Sequence, residues 1–212
     1  LATLQLAEEA HFCAVPRFVF LSSVLANRGS DHFTKCIDPY ADSKKKTETE
    51  LARRFFDSTM TIEIVRSALI YGPGMKGNLP LLMRAIEKGL PRPPDKGARN
   101  MISLDDLVQF LILIADEPKD HIRRFVVTDG EIYSLARLHD AIRAKLGREK
   151  VNSWLPLGFW SVMSDLYDLR SKLPIGTTFQ KLFSDQVFDS SHLRNWKITT
   201  SFEDAVGKIL SS

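Results

Sequence analysis

The chain has 212 residues, enough for one large domain or two small ones, and its 44% hydrophobic residues suffice for a packed core. Its formal net charge is only +3, and outside the run 44–46 the basic residues are interleaved with acidic ones. This pattern disfavours nucleic acid as a partner, whereas a small anionic substrate fits. Cys13 and Cys36 offer neither a disulfide framework nor metal-ligand spacing, so we expect a reducing, cytoplasmic environment and no metal.

The apolar segments of the chain are too short to cross a membrane. None reaches the roughly 18 uninterrupted apolar residues that a membrane span requires. The nearest candidate, 154–163, is soon followed by Asp165, Asp168 and Arg170. This segment favours a buried or lid-like amphipathic helix over a membrane contact, and we expect no membrane partner.

Hydrophobic periodicity and turn residues divide the chain into alternating strands and helices. In chain order the prediction is helix 1–10, strand 17–22, loop 27–39, helix 40–58, strand 61–66, turn 71–74, helix 79–88, proline-rich loop 89–97, helix 105–116, strand 124–128 and helix 135–146. Ser134 is the predicted N-cap of the last of these helices, and Gly147 ends it. Two further helices are predicted at 157–169 and 202–210.

The helix at 40–58 has one apolar stripe, which predicts its buried face. The buried residues should be Leu51, Phe55 and Phe56. The polar residues predicted around the rest of the helix are Lys44, Lys45, Glu48 and Arg53. The two phenylalanines would also suit a contact between subunits, but core packing is the better interpretation.

The start of this helix carries a tyrosine and a lysine one helical turn apart, Tyr40 and Lys44. At this spacing the phenol and the ammonium project from the same face. A fixed cation favours the anion of a neighbouring phenol, which suits the phenol to proton transfer near neutral pH. The pair predicts redox chemistry on an alcohol or ketone, although the same spacing also arises by chance on solvated helices.

Polar or turn-forming residues follow three of the predicted strands. Ser22 and Ser23 end the first strand, the turn 71–74 follows the second, and 128–130 follow the third. Ligands of open α/β sheets bind at the carboxyl ends of the strands, so these three placements converge on one rim. The order of elements predicts an α/β sheet with a smaller, mainly helical lobe appended to it.

Six segments, in the right order, resemble the extended short-chain dehydrogenase/reductase family, in particular its nucleotide-sugar epimerase and reductase branch. The segments are FVFLSS at 18–23, PYADSK at 39–44, RSALIYGPG at 66–74, KGN at 76–78, RNMISLDD at 99–106 and DSSHLRNW at 189–196. The first two are similar to the family's catalytic serine strand and its Tyr and Lys motif. The others are similar to its RPxxVYGPG segment, the substrate-phosphate turn that follows it, the RDFIxVDD segment and the late stretch DxSKxxxxLGW. Chance does not reproduce six ordered segments.

The resemblance implies an enzyme that uses NAD or NADP, with Ser23, Tyr40 and Lys44 as its catalytic residues. Tyr40 would be the acid/base, Lys44 would promote its ionisation and bond the nicotinamide ribose, and Ser23 would hydrogen-bond the reacting oxygen. The implied cofactor-binding residues are Ser22, Tyr40, Lys44 and Ser67. If the alignment of this strand with the family's serine strand is shifted by one residue, the catalytic hydroxyl would be that of Ser22 and not that of Ser23.

The resemblance also implies a nucleotide-sugar substrate, with Asn78, Leu79 and Arg99 as substrate-binding residues. Asn78 would meet the diphosphate, and Arg99 would help to hold it. For Asn78 a plain helix N-cap before Leu79 is an equal alternative. For Arg99 the neighbouring Arg92 and Lys96 are alternatives.

The implied fold is α/β: the C-terminal part of a Rossmann-type doubly wound parallel sheet with a smaller, mainly helical substrate lobe. Residues 1–75 and 104–130 would be the remainder of the NAD-binding domain. Residues 76–103 and 131–212 would form the nucleotide-sugar lobe. A homodimer is a further expectation, since members of the family often dimerise through helices that flank the catalytic tyrosine.

A Rossmann domain binds pyrophosphate at a glycine-rich turn, and we find no such turn in this sequence. Gly29 is the only glycine before Tyr40, while Gly72 and Gly74 follow the second strand. The resemblance aligns Leu1 inside a helix that follows several earlier strands. We therefore expect the C-terminal part of a longer enzyme, with negligible NAD affinity of its own.

The predicted function is that of an NAD(P)-dependent epimerase or 4-keto reductase acting at C4 of a UDP-hexose. Dehydration is disfavoured, because the family's dehydratases carry an Asp-Glu pair where this chain has Val24 and Leu25. Ser67 replaces the family's usual proline without removing a chemical group. The alternatives are a reductase of a steroid- or flavonoid-like ketone and a non-catalytic fragment of the same fold.

Overall fold

The structure, a computed structural model, describes residues 2–27, 39–116, 121–190, 196 and 198–210. The chain forms two compact units. Unit 1 comprises Leu1–Ala68, Asp105–Thr128 and Phe188–Ile198, and unit 2 comprises Leu69–Leu104, Asp129–Val187 and Thr199–Ser212. The predicted α/β fold class is confirmed, because helices are combined with parallel strands in both units. The cofactor and substrate roles of the two parts stay predictions.

The helices and strands follow the predicted alternation. The helices are α1 (Ala2–Phe12), α2 (Pro39–Arg54), α3 (Asn78–Glu87), α4 (Leu104–Asp116), α5 (Leu135–Lys145), α6 (Leu157–Arg170), α7 (Thr177–Phe183) and α8 (Phe202–Leu210). The strands are β1 (Arg17–Ser23), β2 (Thr61–Ser67), β3 (Leu69–Tyr71), β4 (Met101–Ser103) and β5 (Ile122–Val127). In the described part of the chain, no helix combines the length and the apolar character that crossing a membrane requires.

Unit 1 is built on a parallel sheet with the strand order β1, β2, β5. The middle strand β2 buries Ile62, Ile64 and Val65 completely, as expected of β-branched residues in a strand that is covered on both faces. Leu4 of α1 and Leu51 of α2 join the same hydrophobic cluster as Ile62 and Ile64. The cluster therefore fixes α2 against the sheet whose first strand ends in the two serines.

Unit 2 contains a second, smaller parallel pair formed by β3 and β4. Each of these strands has three residues, too few to show a period in the sequence, which is why neither was predicted. The buried residues around this pair come from several helices and strands. They are Tyr71, Leu79, Met83, Ile86, Met101, Tyr133, Leu138, Ile142, Phe202, Ala205 and Val206.

The structure corrects the predicted faces of α2. Leu51 and Phe55 are buried as predicted, but Phe56 is 71% exposed, because α2 ends at Arg54 and Phe56 lies beyond its regular face. Glu48, expected to face solvent, is only 3% exposed. A buried carboxylate requires hydrogen-bonding partners, and those of Glu48 belong to the candidate site described below.

The α5 helix has the predicted ends. The Ser134 Oγ accepts a hydrogen bond from the backbone N–H of Arg137 at 3.1 Å, which caps the first turn. Gly147 follows the last turn with φ of 68°, the left-handed conformation that glycine adopts without strain. Local chemistry thus sets both ends of this helix.

The α6 helix forms as predicted, but most of its apolar surface is not buried. The large apolar side chains that remain exposed are Phe159, Val162, Met163, Leu166, Tyr167 and Leu169. The buried stripe consists of Trp160, Ser164 and Asp168. It faces α7, a short helix that the sequence analysis missed, and the rings of Trp160 and Phe183 lie 6.2 Å apart.

Candidate active site

Lys44 is held at the carboxyl end of β1. Its Nζ donates a hydrogen bond to the carbonyl oxygen of Leu21 at 2.8 Å and lies 4.8 Å from the centre of the Phe20 ring. Partial burial lowers the pKa of Lys44, and the carboxylate of Glu48 acts in the opposite direction. An ammonium has three N–H donors, so the bond to Leu21 still allows Lys44 to donate to a second partner.

Tyr40 lies one turn before Lys44 on α2. The Lys44 Nζ is 5.8 Å from the centre of the Tyr40 ring, and Tyr40 is 53% exposed. A cation and a phenol therefore share one face of α2, and the cation is bound to the end of β1. Residues 28–38, which hold most of the predicted loop and Cys36, lie outside the described residues.

The two serines at the end of β1 have different partners. The Ser22 Oγ donates to Glu48 Oε1 at 2.5 Å, and both side chains are buried. The Ser23 Oγ accepts the backbone N–H of Leu25 at 3.3 Å, a bond that does not use the proton of its hydroxyl. The Ser67 Oγ donates to the carbonyl oxygen of Ser22 at 3.4 Å. These bonds favour Ser23 over Ser22 as the hydroxyl that meets a ligand.

Glu48 and Arg66 form a buried ion pair that the sequence analysis did not predict. The Arg66 Nε lies 3.1 Å from both carboxylate oxygens, and its Nη2 donates to Oε2 at 2.6 Å. Together with Ser22, this pair joins α2 to β1 and β2. Glu48 follows Lys44 by one helical turn, so the ion pair fixes the helix face that carries Lys44 and Tyr40. The position of Glu48, one helical turn after Lys44, was a signal in the sequence for a role in the site. The apolar period of the helix instead led to the prediction that Glu48 faces solvent.

The predicted substrate-binding residues Asn78 and Leu79 open α3. Asn78 is exposed, and Gly77 is the N-cap of the helix, so the alternative that Asn78 caps α3 is wrong. The side chain of Leu79 is buried in the core of unit 2, which leaves its backbone for any contact with a ligand. The N–H groups of a first helical turn favour anions. The diphosphate role of both residues stays a prediction.

Arg99 is almost completely buried in unit 2. Its Nη2 donates to the carbonyl oxygen of Leu182 at 2.5 Å and its Nε to that of Gly97 at 3.2 Å. Burial lowers the pKa of its guanidinium. The structure thus uses Arg99 to hold the end of α7, and its contact with a diphosphate stays a prediction. Arg92, the alternative, is bound to Asp140 by two hydrogen bonds of 2.8 Å.

The predicted site residues fall in both units. The catalytic residues belong to unit 1, and the substrate-binding residues belong to unit 2. Across the described ranges, no group of three or more His, Cys, Asp or Glu side chains could hold a metal ion.

Proteins of known function with similar sequences and folds act on nucleotide sugars. The chain is 32% identical over 171 residues to the UDP-glucose 4-epimerase of Vibrio cholerae. This match covers 74% of the chain and 51% of the relative, so the chain spans about half of the relative's length. No protein-family profile matches the chain.

Solved structures of UDP-glucose 4-epimerases have the same fold. The enzyme of Thermotoga maritima, with UDP-glucose, gives a TM-score of 0.70 at 18% identity, covering 99% of this chain and 67% of that one. The enzyme of Thermus thermophilus, with NAD, gives a TM-score of 0.68 at 17% identity with the same coverage. At these identities the likeness establishes the fold alone. The chain is therefore similar to UDP-glucose 4-epimerases both in sequence and in fold.

This similarity agrees with the six-segment resemblance to the NAD-dependent epimerase/dehydratase branch. NAD is bound in the Thermus structure, as the resemblance implies for members of the branch. The similarities lend no support to a steroid- or flavonoid-like substrate or to a non-catalytic fragment.

Proposed function

We propose that the chain carries the catalytic residues of an NAD-dependent epimerase that acts at C4 of a UDP-linked hexose. The observation that carries the proposal is the Lys44 ammonium, bound to the Leu21 carbonyl at the end of β1 on the helix face that also presents Tyr40. The similarity to a UDP-glucose 4-epimerase supports the reaction class. The absence of an acidic pair at Val24 and Leu25 argues against dehydration.

In the proposed reaction Tyr40 removes the proton of the C4 hydroxyl while that carbon is oxidised. The Lys44 ammonium, on the same helix face, would stabilise the negative charge that develops on the Tyr40 oxygen in this step. Ser23 donates a hydrogen bond to O4, whose charge changes during the reaction. Tyr40 then returns the proton when the 4-keto sugar is reduced on its opposite face. When bound, the nicotinamide would supply the hydride acceptor and donor.

The described residues fit the nicotinamide-ribose end of the cofactor by the chemistry of their donors. Lys44 can donate to ribose hydroxyls in addition to Leu21. Ser22 and Ser67 are already committed to Glu48 and to the backbone, so we propose that they shape the site rather than bind the cofactor through their hydroxyls. Among the described residues, no glycine-rich turn between a strand and a helix offers a pyrophosphate site.

We further propose that unit 1 provides the cofactor side of the reaction and that unit 2 provides the nucleotide-sugar side. The catalytic residues of unit 1 support the first assignment. The exposed Asn78, at the first turn of α3, supports the second, because phosphate groups bind at helix N-termini.

The proposal is tested on the protein as its genome encodes it, including any residues that precede Leu1. With NAD and a panel of UDP-hexoses, NMR should detect conversion of at least one sugar to its C4 epimer. Tyr40→Phe should lower kcat by at least about a hundredfold, because the acid/base is lost. A 4-keto reductase would instead consume reduced cofactor and form no epimer from a UDP-hexose.

Two neighbouring lysines provide a matched control. Lys44→Met should remove most of the activity, whereas Lys45→Met, which changes an exposed residue of the same helix, should leave it unchanged. Equal activities of the two variants, or wild-type activity in Tyr40→Phe, would contradict the assigned roles. Calorimetry on the 212-residue chain itself should detect no NAD binding in the millimolar range or tighter.

A further inference from the structure

The outer face of α6 is apolar where a water-facing helix would be polar. This face consists of Phe159, Val162, Leu166 and Leu169, whose spacing places them along one side of the helix. Val162, Leu166 and Leu169 are 68%, 61% and 67% exposed. Helices on the surface of soluble proteins normally turn such a stripe towards the core.

Polar contacts fix the orientation of α6, so the exposed leucines do not result from a small rotation of the helix. Asp168 is buried on the opposite side and accepts hydrogen bonds from the backbone N–H and the hydroxyl of Thr178 on α7. Ser164 is buried on the same side as Asp168, and its hydroxyl donates within the helix to the carbonyl oxygen of Ser161 at 2.8 Å. The chain therefore buries a carboxylate and exposes leucines, the reverse of the usual arrangement.

Cations lie at the carboxyl end of this face. Arg170 ends α6 and Lys172 follows it, and both are exposed. Within the described ranges, neither of the two takes part in an ion pair. The two acids of α6 expose less charge than these cations do, since Asp168 is buried and Asp165 is half-buried.

Lys172 occupies a position that normally favours glycine. Its φ is 56°, in the left-handed region, directly after the last turn of α6. The N–H of Leu173 closes the turn by donating to the carbonyl oxygen of Asp168 at 2.8 Å. Glycine would adopt this backbone with less strain, so a lysine here places a cation at the end of the apolar face against the local backbone preference.

We propose that the α6 outer face docks on the surface of an anionic lipid bilayer, with the helix lying in the plane of the interface. Its leucines would enter the headgroup region, and Arg170 and Lys172 would bind lipid phosphates. Trp154, 78% exposed just before α6, suits the same interface. At 14 residues, about 21 Å, the helix is too short to span the bilayer.

The charges favour a lipid surface over a second copy of the chain. On a second copy, α6 would offer these cations only the half-buried Asp165 and the buried Asp168 as acids, whereas anionic headgroups attract both Arg170 and Lys172. The proposal departs from the sequence-based expectation of no membrane partner. It goes beyond the proposed epimerase function and does not depend on it, because its test needs neither sugar nor cofactor.

The test is flotation of the purified protein, as its genome encodes it, with vesicles of phosphatidylcholine and phosphatidylglycerol in a 3:1 ratio, and with vesicles of phosphatidylcholine alone. The chain should float with the anionic vesicles, bind neutral vesicles at least tenfold more weakly, and dissociate at high salt. The fluorescence of the wild type should shift to the blue on binding, and Trp154→Phe should lose most of that shift. Absence of binding to the anionic vesicles would overturn the proposal.

Two double variants test whether vesicle binding depends on the α6 outer face in particular or on exposed apolar residues in general. Leu166→Gln with Leu169→Gln should weaken binding to anionic vesicles at least tenfold. Leu81→Gln with Ile132→Gln, which changes two other exposed apolar residues of unit 2, should leave binding unchanged. Equal loss in both double variants would overturn the proposal. A wild-type dimer that only the first double variant dissociates, without vesicle binding, would assign the face to a second copy instead.

Lys172→Gly keeps the test decisive if the leucine variant fails to fold. Glycine relieves the backbone at this position, so the melting temperature should be equal to or above that of the wild type. Binding to anionic vesicles should nevertheless weaken severalfold, and binding to neutral vesicles should not change. Unchanged binding to the anionic vesicles would show that Lys172 does not contribute to binding, and would overturn the proposal as stated.

Discussion

Each unit of the chain buries a carboxylate among polar partners, and the partners differ. In unit 1 the carboxylate of Glu48 faces the guanidinium of Arg66. In unit 2 that of Asp129 accepts the O–H groups of Tyr133 at 2.8 Å and Tyr71 at 3.2 Å. Burial raises the pKa of Asp129 to about 6, because neutral phenols offset only part of the lost hydration. The comparison shows two ways to satisfy a buried acid, by a cation in unit 1 and by neutral hydrogen-bond donors in unit 2.

The phenols of unit 2 respond to the same environment. Burial beside Asp129 raises the pKa of Tyr71 and of Tyr133 far above the usual range, so both remain protonated donors. The Tyr71 O–H also lies 2.8 Å from the carbonyl oxygen of Thr200. The cluster links the end of β3 to the segments before α5 and α8, all within unit 2.

The largest expected effect comes from removing the charged partner in unit 1. Glu48→Ala leaves the guanidinium of Arg66, only partly accessible to water, without its counterion, and should lower the free energy of unfolding by about 3–5 kcal/mol. Urea unfolding measures the loss. Glu50→Ala removes an exposed carboxylate from the same helix and should have a much smaller effect. Equal effects of the two substitutions would show that the buried pair does not hold α2 in place.

Asp129→Asn should reveal how much the ionisation of Asp129 contributes to the pH dependence of stability. The pKa of Asp129 is about 6 in the folded chain against an ordinary 3.8, so the folded state binds the proton more tightly. The contribution of Asp129 to stability is therefore full below pH 4 and is lost as pH rises through about 6. Relative to Asp129→Asn, the wild type should gain about 2 kcal/mol of unfolding free energy between pH 7 and pH 4. A difference that is independent of pH in urea unfolding would contradict this assignment.

Removing one phenolic hydroxyl should have a smaller effect. Tyr133→Phe should lower the free energy of unfolding by about 1 kcal/mol at pH 7 and raise the pKa of Asp129 further, because a hydrogen bond to the carboxylate favours its ionised form. Tyr71→Phe should shift this pKa less, since its O–H lies closer to Thr200 than to Asp129. The pH dependence of urea unfolding for the two variants gives the order, and the reverse order would contradict the geometry.

The smallest expected effects on stability come from substituting Ser22 and Ser23, and they distinguish the roles of the two serines. Ser22→Ala removes one bond to a carboxylate that Arg66 still holds, and should lower the free energy of unfolding by about 1 kcal/mol. Ser23→Ala should change stability by less than about 0.5 kcal/mol while lowering kcat of the genome-encoded protein. If Ser22→Ala affected kcat more than Ser23→Ala did, the assignment of the catalytic hydroxyl would move by one residue.

Much of the architecture could be predicted because it is local. The β-branched run of β2 and the apolar period of α4 are visible in short windows, and Ser134 and Gly147 mark the ends of α5 by their own chemistry. The strands β3 and β4 could not be found this way, because three residues carry no period and their pairing joins distant parts of the chain. The helix α7 was missed for the same reason of length.

The sequence by itself determined the alternation of strands and helices and the presence of Tyr40 and Lys44 on one helical face, because both follow from short-range spacing. Only the tertiary structure decided that Glu48 is buried against Arg66 and that the leucines of α6 face outwards. The reason is physical: which side of a helix is covered depends on the elements that pack against it. A window of sequence does not contain those elements.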